Sequence, residues 1–188
     1  MKKIILGSNS PRRRELLSGL GVDFIVDTGN NFEESPEPLT EPHLVPVHMS
    51  QGKSRGFHRP LGPDEVLITA DTVVIADRQV LGKPRDREDA VRMLETLSGR
   101  THEVVTAVTI RDSAREETFT DSTRVTFEPL TAEEIDYYLD NFRPYDKAGA
   151  YGVQEWIGYA AISRLEGSFY NVMGFPVHKV YQKLKSFI

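Results

Sequence analysis

The stretch Ile4-Ile5-Leu6-Gly7-Ser8-Asn9-Ser10-Pro11-Arg12-Arg13-Arg14-Glu15-Leu16-Leu17 decides how this chain is read. An apolar run, a strand over 3–7, stops at two hydroxyls. A helix over 11–20 follows, with Leu16, Leu17 and Leu20 on one face. Ser10 suits the N-cap, where a hydroxyl accepts an otherwise unpaired N–H, and Pro11 suits the first helical position. A helix N-terminus carries free N–H groups and partial positive charge. Arg12 and Arg13 add planar, permanently charged forks that match phosphate oxygens. Three cations at that end oppose the helix dipole, and an anionic ligand relieves the conflict. A solvated basic turn is the plainer reading. The coincidence of strand, hydroxyls, proline and arginines favours a phosphate site.

Outward from this stretch, strand and helix signals alternate. Gly21 ends the first helix, and Phe24-Ile25-Val26 reads as a strand. Residues 29–38 are acidic, polar and proline-containing, which predicts a loop. A helix is expected over 41–57, with Pro46 weighing against it. Two β-branched runs, 66–69 and 73–76, flank Ala70-Asp71-Thr72, so Asp71 is expected at a strand end or bend. A helix over 86–97 has Asp86 as its cap, Ala90, Met93, Leu94 and Leu97 on one face, and Gly99 as its stop. Strands over 103–111 and 117–127 form a hairpin around Asp112-Ser113-Ala114. Phe119, Thr123, Val125 and Phe127 share a face of the second. Thr131-Ala132-Glu133-Glu134 is a capping box opening a helix with Ile135, Tyr138, Leu139 and Phe142 inward. Residues 144–154 read as a loop and 160–165 as a strand. The last helix begins near Pro176 and carries Val177, Val180, Tyr181 and Leu184. No repeat or linker interrupts the chain, which predicts one domain over 1–188 of the α/β class with a mixed sheet.

The 188 residues are 39% hydrophobic and 27% charged, in the range of ordinary globular proteins. There are no cysteines, which excludes disulfides, thiolate zinc sites and a cysteine nucleophile. No apolar run approaches the ~20 residues of a membrane span. After Lys2-Lys3 the apolar stretch ends at Leu6, too early for a signal peptide, so a cytoplasmic protein is expected. The net charge of −5 argues against a nucleic-acid partner. An anion site must therefore be a local basic pocket on an acidic protein.

Four further constellations bear on chemistry. Asp71 between two apolar runs reads as a metal ligand, as a base that activates water, or as an aspartate shaping its own turn. Leu81-Gly82-Lys83-Pro84 holds an ammonium between glycine and proline, though taken alone a tight turn with a solvated lysine is the better reading. Gly52-Lys53-Ser54 resembles the tail of a P-loop, but the required earlier glycine falls at Val47 and no strand precedes it, so the P-loop is rejected. Lys53 still serves as a point charge for phosphate. In Tyr145-Asp146-Lys147-Ala148-Gly149-Ala150-Tyr151-Gly152-Val153-Gln154, two glycines permit close approach of a ligand. Gln154 offers a donor and an acceptor to a nucleobase edge, and Tyr151 is placed to stack. The histidines lack metal-ligand spacing, and no nucleophile elbow is present.

Six blocks in order resemble the Maf family, the septum-formation-inhibitor-like nucleoside triphosphate pyrophosphatases. They are Ser8-Asn9-Ser10-Pro11-Arg12-Arg13, Ala70-Asp71-Thr72-Val73-Val74, Leu81-Gly82-Lys83-Pro84, Leu97-Ser98-Gly99-Arg100-Thr101-His102, Asp146-Lys147-Ala148-Gly149-Ala150-Tyr151-Gly152 and Asn171-Val172-Met173-Gly174. The resemblance implies an elongated mixed β-sheet flanked by helices, with two lobes around a cleft, like inosine triphosphate pyrophosphatases. It implies hydrolysis of a nucleoside triphosphate to monophosphate and pyrophosphate with Mg²⁺ or Mn²⁺, and a homodimer. By the same resemblance Asp71 is the proton acceptor for the attacking water. Arg12, Thr72 and Gln154 match positions of substrate choice, and Ser8, Arg13, Lys53 and Lys83 match the phosphate-binding set. Asp71 and Glu33 match acidic residues at the metal, with Glu34 beside Glu33 as the alternative. The segment from Lys147 to Gln154 looks like the branch acting on dTTP and UTP. Where the family often has glycine after this glutamine, the chain has Glu155-Trp156-Ile157. The competing expectations are a non-catalytic nucleotide-binding regulator of cell division and a pyrophosphatase for a non-canonical purine nucleotide.

Overall fold

The computed structural model of the chain describes residues 2–33 and 41–188. In chain order its elements are β1 (Lys3–Leu6), α1 (Pro11–Ser18), β2 (Phe24–Val26), α2 (Leu44–Arg55), β3 (Glu65–Ala76), β4 (Gln79–Leu81), α3 (Arg87–Leu97), β5 (Thr101–Arg111), β6 (Glu116–Phe127) and α4 (Ala132–Phe142). A single 3-10 turn (Ala148–Ala150) follows, then α5 (Trp156–Ala160), β7 (Ile162–Glu166), α6 (Phe169–Val172) and α7 (Val177–Leu184). The sheet is seven-stranded in the order β2-β1-β3-β5-β6-β7, with β4 on β3. β1 pairs in parallel with β2 and β3, placing Ile5 opposite Ile25 and Leu67. β3–β4 and β6–β7 are antiparallel, so the expected mixed α/β sheet flanked by helices is borne out.

The chain forms two compact units. The first comprises Met1–Asp71, Thr106–Asp121 and Gly174–Ile188. Its buried apolar residues include Ile5, Leu6, Leu17, Leu67 and Ile68. α2 lacks an apolar stripe, and hydroxyls fasten it instead. The buried Ser50 and Thr109 hydroxyls lie 2.6 Å apart, and Thr69 Oγ1 donates to the Ser50 carbonyl at 2.7 Å. Arg111 donates to the Ser54 carbonyl at 2.6 Å and to its hydroxyl at 3.0 Å. Pro46 is tolerated because it lies in the first turn, where N–H groups have no intrahelical partner.

The second unit comprises Thr72–Val105 and Ser122–Met173. Ala90, Met93, Leu94 and Leu97 of α3 and Ile135, Tyr138 and Leu139 of α4 share one core with Val104, Val125 and Phe127. Both helices start on the expected caps. Asp86 accepts from the Asp89 N–H at 2.8 Å, and the Thr131–Glu134 capping box is closed in both directions. Such caps stabilise a helix by about 1 kcal/mol each.

One expectation needs correction, and three short elements go beyond what the sequence signals. Asp71 lies at neither a strand end nor a bend, because residues 65–76 form the single strand β3. Backbone pairing in a ladder does not depend on the side chain, and β-branched Thr72 suits a strand, so a polar pair interrupts the apolar pattern without interrupting the strand. β4 was not foreseen. It follows Asp77-Arg78, two non-glycine residues at positive φ (48° and 64°), a hairpin turn without its usual Asn-Gly signature. The short α5 and α6 also carry no sequence period. The last part of the 29–38 loop, Glu34 included, lies outside the described residues.

Candidate active site

In the first unit the motif after β1 folds as a capped helix start. Ser10 is extended, and its hydroxyl accepts from the Arg13 N–H at 3.4 Å. Arg13 turns back under this cap. Its Nε donates to the Gly174 carbonyl at 2.9 Å, and one terminal nitrogen donates to the Ala70 carbonyl at 2.9 Å and to the Ser8 hydroxyl at 3.3 Å. Desolvation lowers the guanidinium's pKa, the Asp71 carboxylate opposes that shift, and Arg12 adds to it. Ser8 is buried and Arg12 partly buried. Ser8, Arg13 and Ala70 in the middle of β3 are therefore brought together, with Arg13 the joint between them.

Lys53, near the end of α2, reaches the same strand. Its Nζ lies 2.6 Å from Asp71 Oδ1, and both side chains are partly buried. The Lys53 carbonyl accepts from Asn30 Nδ2 at 2.6 Å, and the Asn30 side-chain oxygen accepts from the Phe32 N–H at 2.8 Å. Gly52 explains the glycine of the failed P-loop pattern. A Cβ there would lie 2.3 Å from the Phe32 ring, so only glycine seats this segment on α2. Glu33 follows Phe32 and is exposed, on a segment fastened to the Lys53 turn.

Among the described residues no three His, Cys, Asp or Glu side chains gather into a metal cage. Asp71 nevertheless fits one kind of ion. Mg²⁺ and Mn²⁺ are held through hard oxygens, and Mg²⁺ at phosphates commonly uses one or two carboxylates with phosphate oxygens and water. A carboxylate beside an ammonium and an arginine suits that arrangement and does not suit a tetrahedral zinc site.

The second unit holds Thr72, Lys83 and Gln154. Thr72 is partly buried on β3, while Lys83 and Gln154 are exposed. The loop after α4 docks onto the Lys83 segment, because the Gly149 N–H donates to the Gly82 carbonyl at 3.0 Å. Gly149 sits at φ 70°, and a Cβ there would come within 2.9 Å of Val74 Cγ2. Val74 lies two residues beyond Thr72 on β3, so this loop rests on the strand that carries Thr72.

Tyr151 does not stack on a base. It is 5% exposed, its hydroxyl lies 2.6 Å from His102 Nε2, and its ring packs edge-on against His102 and Phe127. Burial pushes the Tyr151 hydroxyl pKa up and takes His102 down to about 4. Glu155, the departure from the family pattern, accepts a hydrogen bond from Tyr138 and pairs with Lys147 at 3.1 Å. None of these partners was visible in the sequence, apart from the inward position of Tyr138 on its helix.

Comparison with known proteins adds an independent line. The family of Maf-like proteins matches residues 3–187. A dTTP/UTP pyrophosphatase of Porphyromonas gingivalis is 54% identical over 187 residues, 98% of this chain and 94% of that protein. A dTTP/UTP pyrophosphatase of Bacteroides thetaiotaomicron is 50% identical over 183 residues, 97% of this chain and 95% of that protein. The structure of a HAM1 protein from Coxiella burnetii is similar in fold, with a TM-score of 0.53 at 14% identity, covering 99% of this chain and 100% of that one. The motifs described in each unit lie inside the matched span, and the chain belongs to the Maf family.

Proposed function

We propose that this protein is a nucleoside triphosphate pyrophosphatase that hydrolyses dTTP and UTP to the monophosphate and pyrophosphate. The observation that carries the reading is the Lys53–Asp71 pair beside the Arg13 joint, in a chain about half identical to relatives named dTTP/UTP pyrophosphatase. A regulator that only binds nucleotide has no use for a partly buried carboxylate held beside a phosphate-binding ammonium.

The chemistry follows from what these groups do to charge. Hydrolysis of a triphosphate needs neutralisation of phosphate oxygens and an aligned water more than a covalent intermediate. Arg12 and the α1 N-terminus bind phosphate oxygens, with Ser8 and Arg13 holding that turn in place. Lys53 and Lys83 add point charges. Asp71 accepts a proton as water attacks the α-phosphorus, and the bond to the β-phosphate oxygen breaks to release pyrophosphate. Asp71 and Glu33 would hold a divalent cation, Mg²⁺ or Mn²⁺, which when bound supplies Lewis acidity and charge neutralisation. Thr72 and Gln154 sort the nucleotide, Gln154 pairing with the O4 and N3 edge of thymine or uracil.

The test is a substrate panel with separate readouts for pyrophosphate and orthophosphate. Pyrophosphate and thymidine monophosphate from dTTP, lost in excess chelator, are the expected result. Orthophosphate without pyrophosphate, or full activity in chelator, overturns the reading.

A further inference from the structure

Gln154 occupies the tip of a turn closed by the Glu155 N–H donating to the Gly152 carbonyl at 3.0 Å. One side chain pins both ends of that turn. The Tyr138 hydroxyl accepts from the Gly152 N–H at 3.0 Å and donates to the Glu155 carboxylate. Tyr138 is fully buried on α4, its ring stacked with Phe142, so its hydroxyl is a fixed point. Lys147 Nζ, 3.1 Å from Glu155 Oε1, draws the start of the segment to its end. Lys147 and Glu155 are 11% and 19% exposed, whereas Gln154 between the pinned positions is exposed. This pattern keeps a flexible amide on a rigid mount. A recognising group gains discrimination when its backbone is already ordered, since ordering on binding would cost part of the interaction.

We propose that Glu155, held by Tyr138 and Lys147, is the positioning residue for Gln154 and thereby sets how sharply the site separates thymine and uracil from cytosine. The inference rests on the reading of the protein as a pyrimidine nucleotide pyrophosphatase. Glu155 itself touches no base. It acts by fixing the turn.

Glu155→Gln keeps the shape and an acceptor for Tyr138 but removes the charge that draws Lys147 to the end of the turn, leaving Lys147 paired with Asp146 at 2.8 Å. Tyr138→Phe removes the hydroxyl at both ends of the turn. Steady-state kinetics on dTTP and dCTP, with a thermal melt of each variant, decide the matter. The expected result is a fall of about tenfold in the dTTP-over-dCTP ratio of kcat/KM, carried by KM for dTTP with kcat nearly unchanged. If Tyr138→Phe fails to fold, the near-isosteric Glu155→Gln decides alone. A folded Glu155→Gln with wild-type KM and a wild-type ratio overturns the inference while leaving the pyrophosphatase reading intact. A wild-type enzyme without any dTTP preference overturns the reading and the inference with it.

Discussion

Lys53 Nζ lies 2.6 Å from Asp71 Oδ1, so the cation near the end of α2 and the carboxylate in the middle of β3 form one ion pair. In the proposed mechanism Lys53 is the charge for phosphate and Asp71 the acceptor for a proton, and each partner can be removed separately.

Asp71→Asn keeps the shape of the side chain and loses its basicity. Loss of a general base costs ~10²–10⁴-fold in rate. Turnover of dTTP should fall by that amount, while fluorescent-nucleotide binding and the melting curve persist. Near-normal turnover rules out both proposed roles of Asp71.

Gln154→Ala tests the base directly. Gln154 can donate to O4 and accept from N3–H, and cytosine reverses both partners. An unpaired polar group costs ~1–3 kcal/mol where the bound base shuts out water, and less to the extent that Gln154 keeps its present exposure. Activity on dTTP and UTP should fall and their advantage over dCTP should narrow. An unchanged ratio in competition assays removes Gln154 from base recognition.

Gly52→Ala places a methyl group against the Phe32 ring, 2.3 Å from the nearest carbon in the present packing. The ring must move, and overpacking of this kind costs about 1–3 kcal/mol. The segment that carries Glu33 should loosen. We expect a lower urea midpoint and a weaker metal dependence of turnover, measured as the Mg²⁺ concentration for half-maximal rate. A wild-type midpoint and wild-type metal dependence would show that Phe32 does not tie Glu33 to α2.

His102 is buried and held near pKa 4 by desolvation, and among the described residues its Nδ1 has no hydrogen-bond partner. In the unfolded chain it takes up a proton near pH 6.5, before the folded protein does. Its contribution is therefore complete above pH 6.5 and is lost as pH falls toward 4. Between pH 7 and pH 5 the loss is about 2 kcal/mol. His102→Gln should flatten that segment of the pH–stability curve measured by urea unfolding. An unchanged slope means another group titrates there.

Much of the fold was legible because its signals are local. Ser10, Asp86 and Thr131 cap helices through contacts three residues away, and Val125 and Phe127 show the period of a half-buried strand. β3 reads as two strands in the sequence because Asp71 and Thr72 break an apolar pattern that the backbone ladder ignores. β4 escaped because its turn uses strained residues in place of glycine.

The candidate site divides in the same way. The capped helix start could be read from the hydroxyl, proline and arginines of one turn. The acceptors of Arg13 could not, since Gly174 is 161 positions away. Tyr151 reads as a stacking residue in the sequence for a related reason. Its burial depends on His102, 49 positions away, and nothing near Tyr151 in sequence announces that contact.

The bond from Arg13 to Gly174 also has a temporal side. The arginine leaves the ribosome among the first residues, and its acceptor follows only after most of the chain has been made. Synthesis at about 5–20 residues per second separates the two by roughly 10–30 seconds. During that interval the α1 turn has its cap but not its far anchor. The turn proposed to bind phosphate thus gains its far anchor only once Gly174 has emerged.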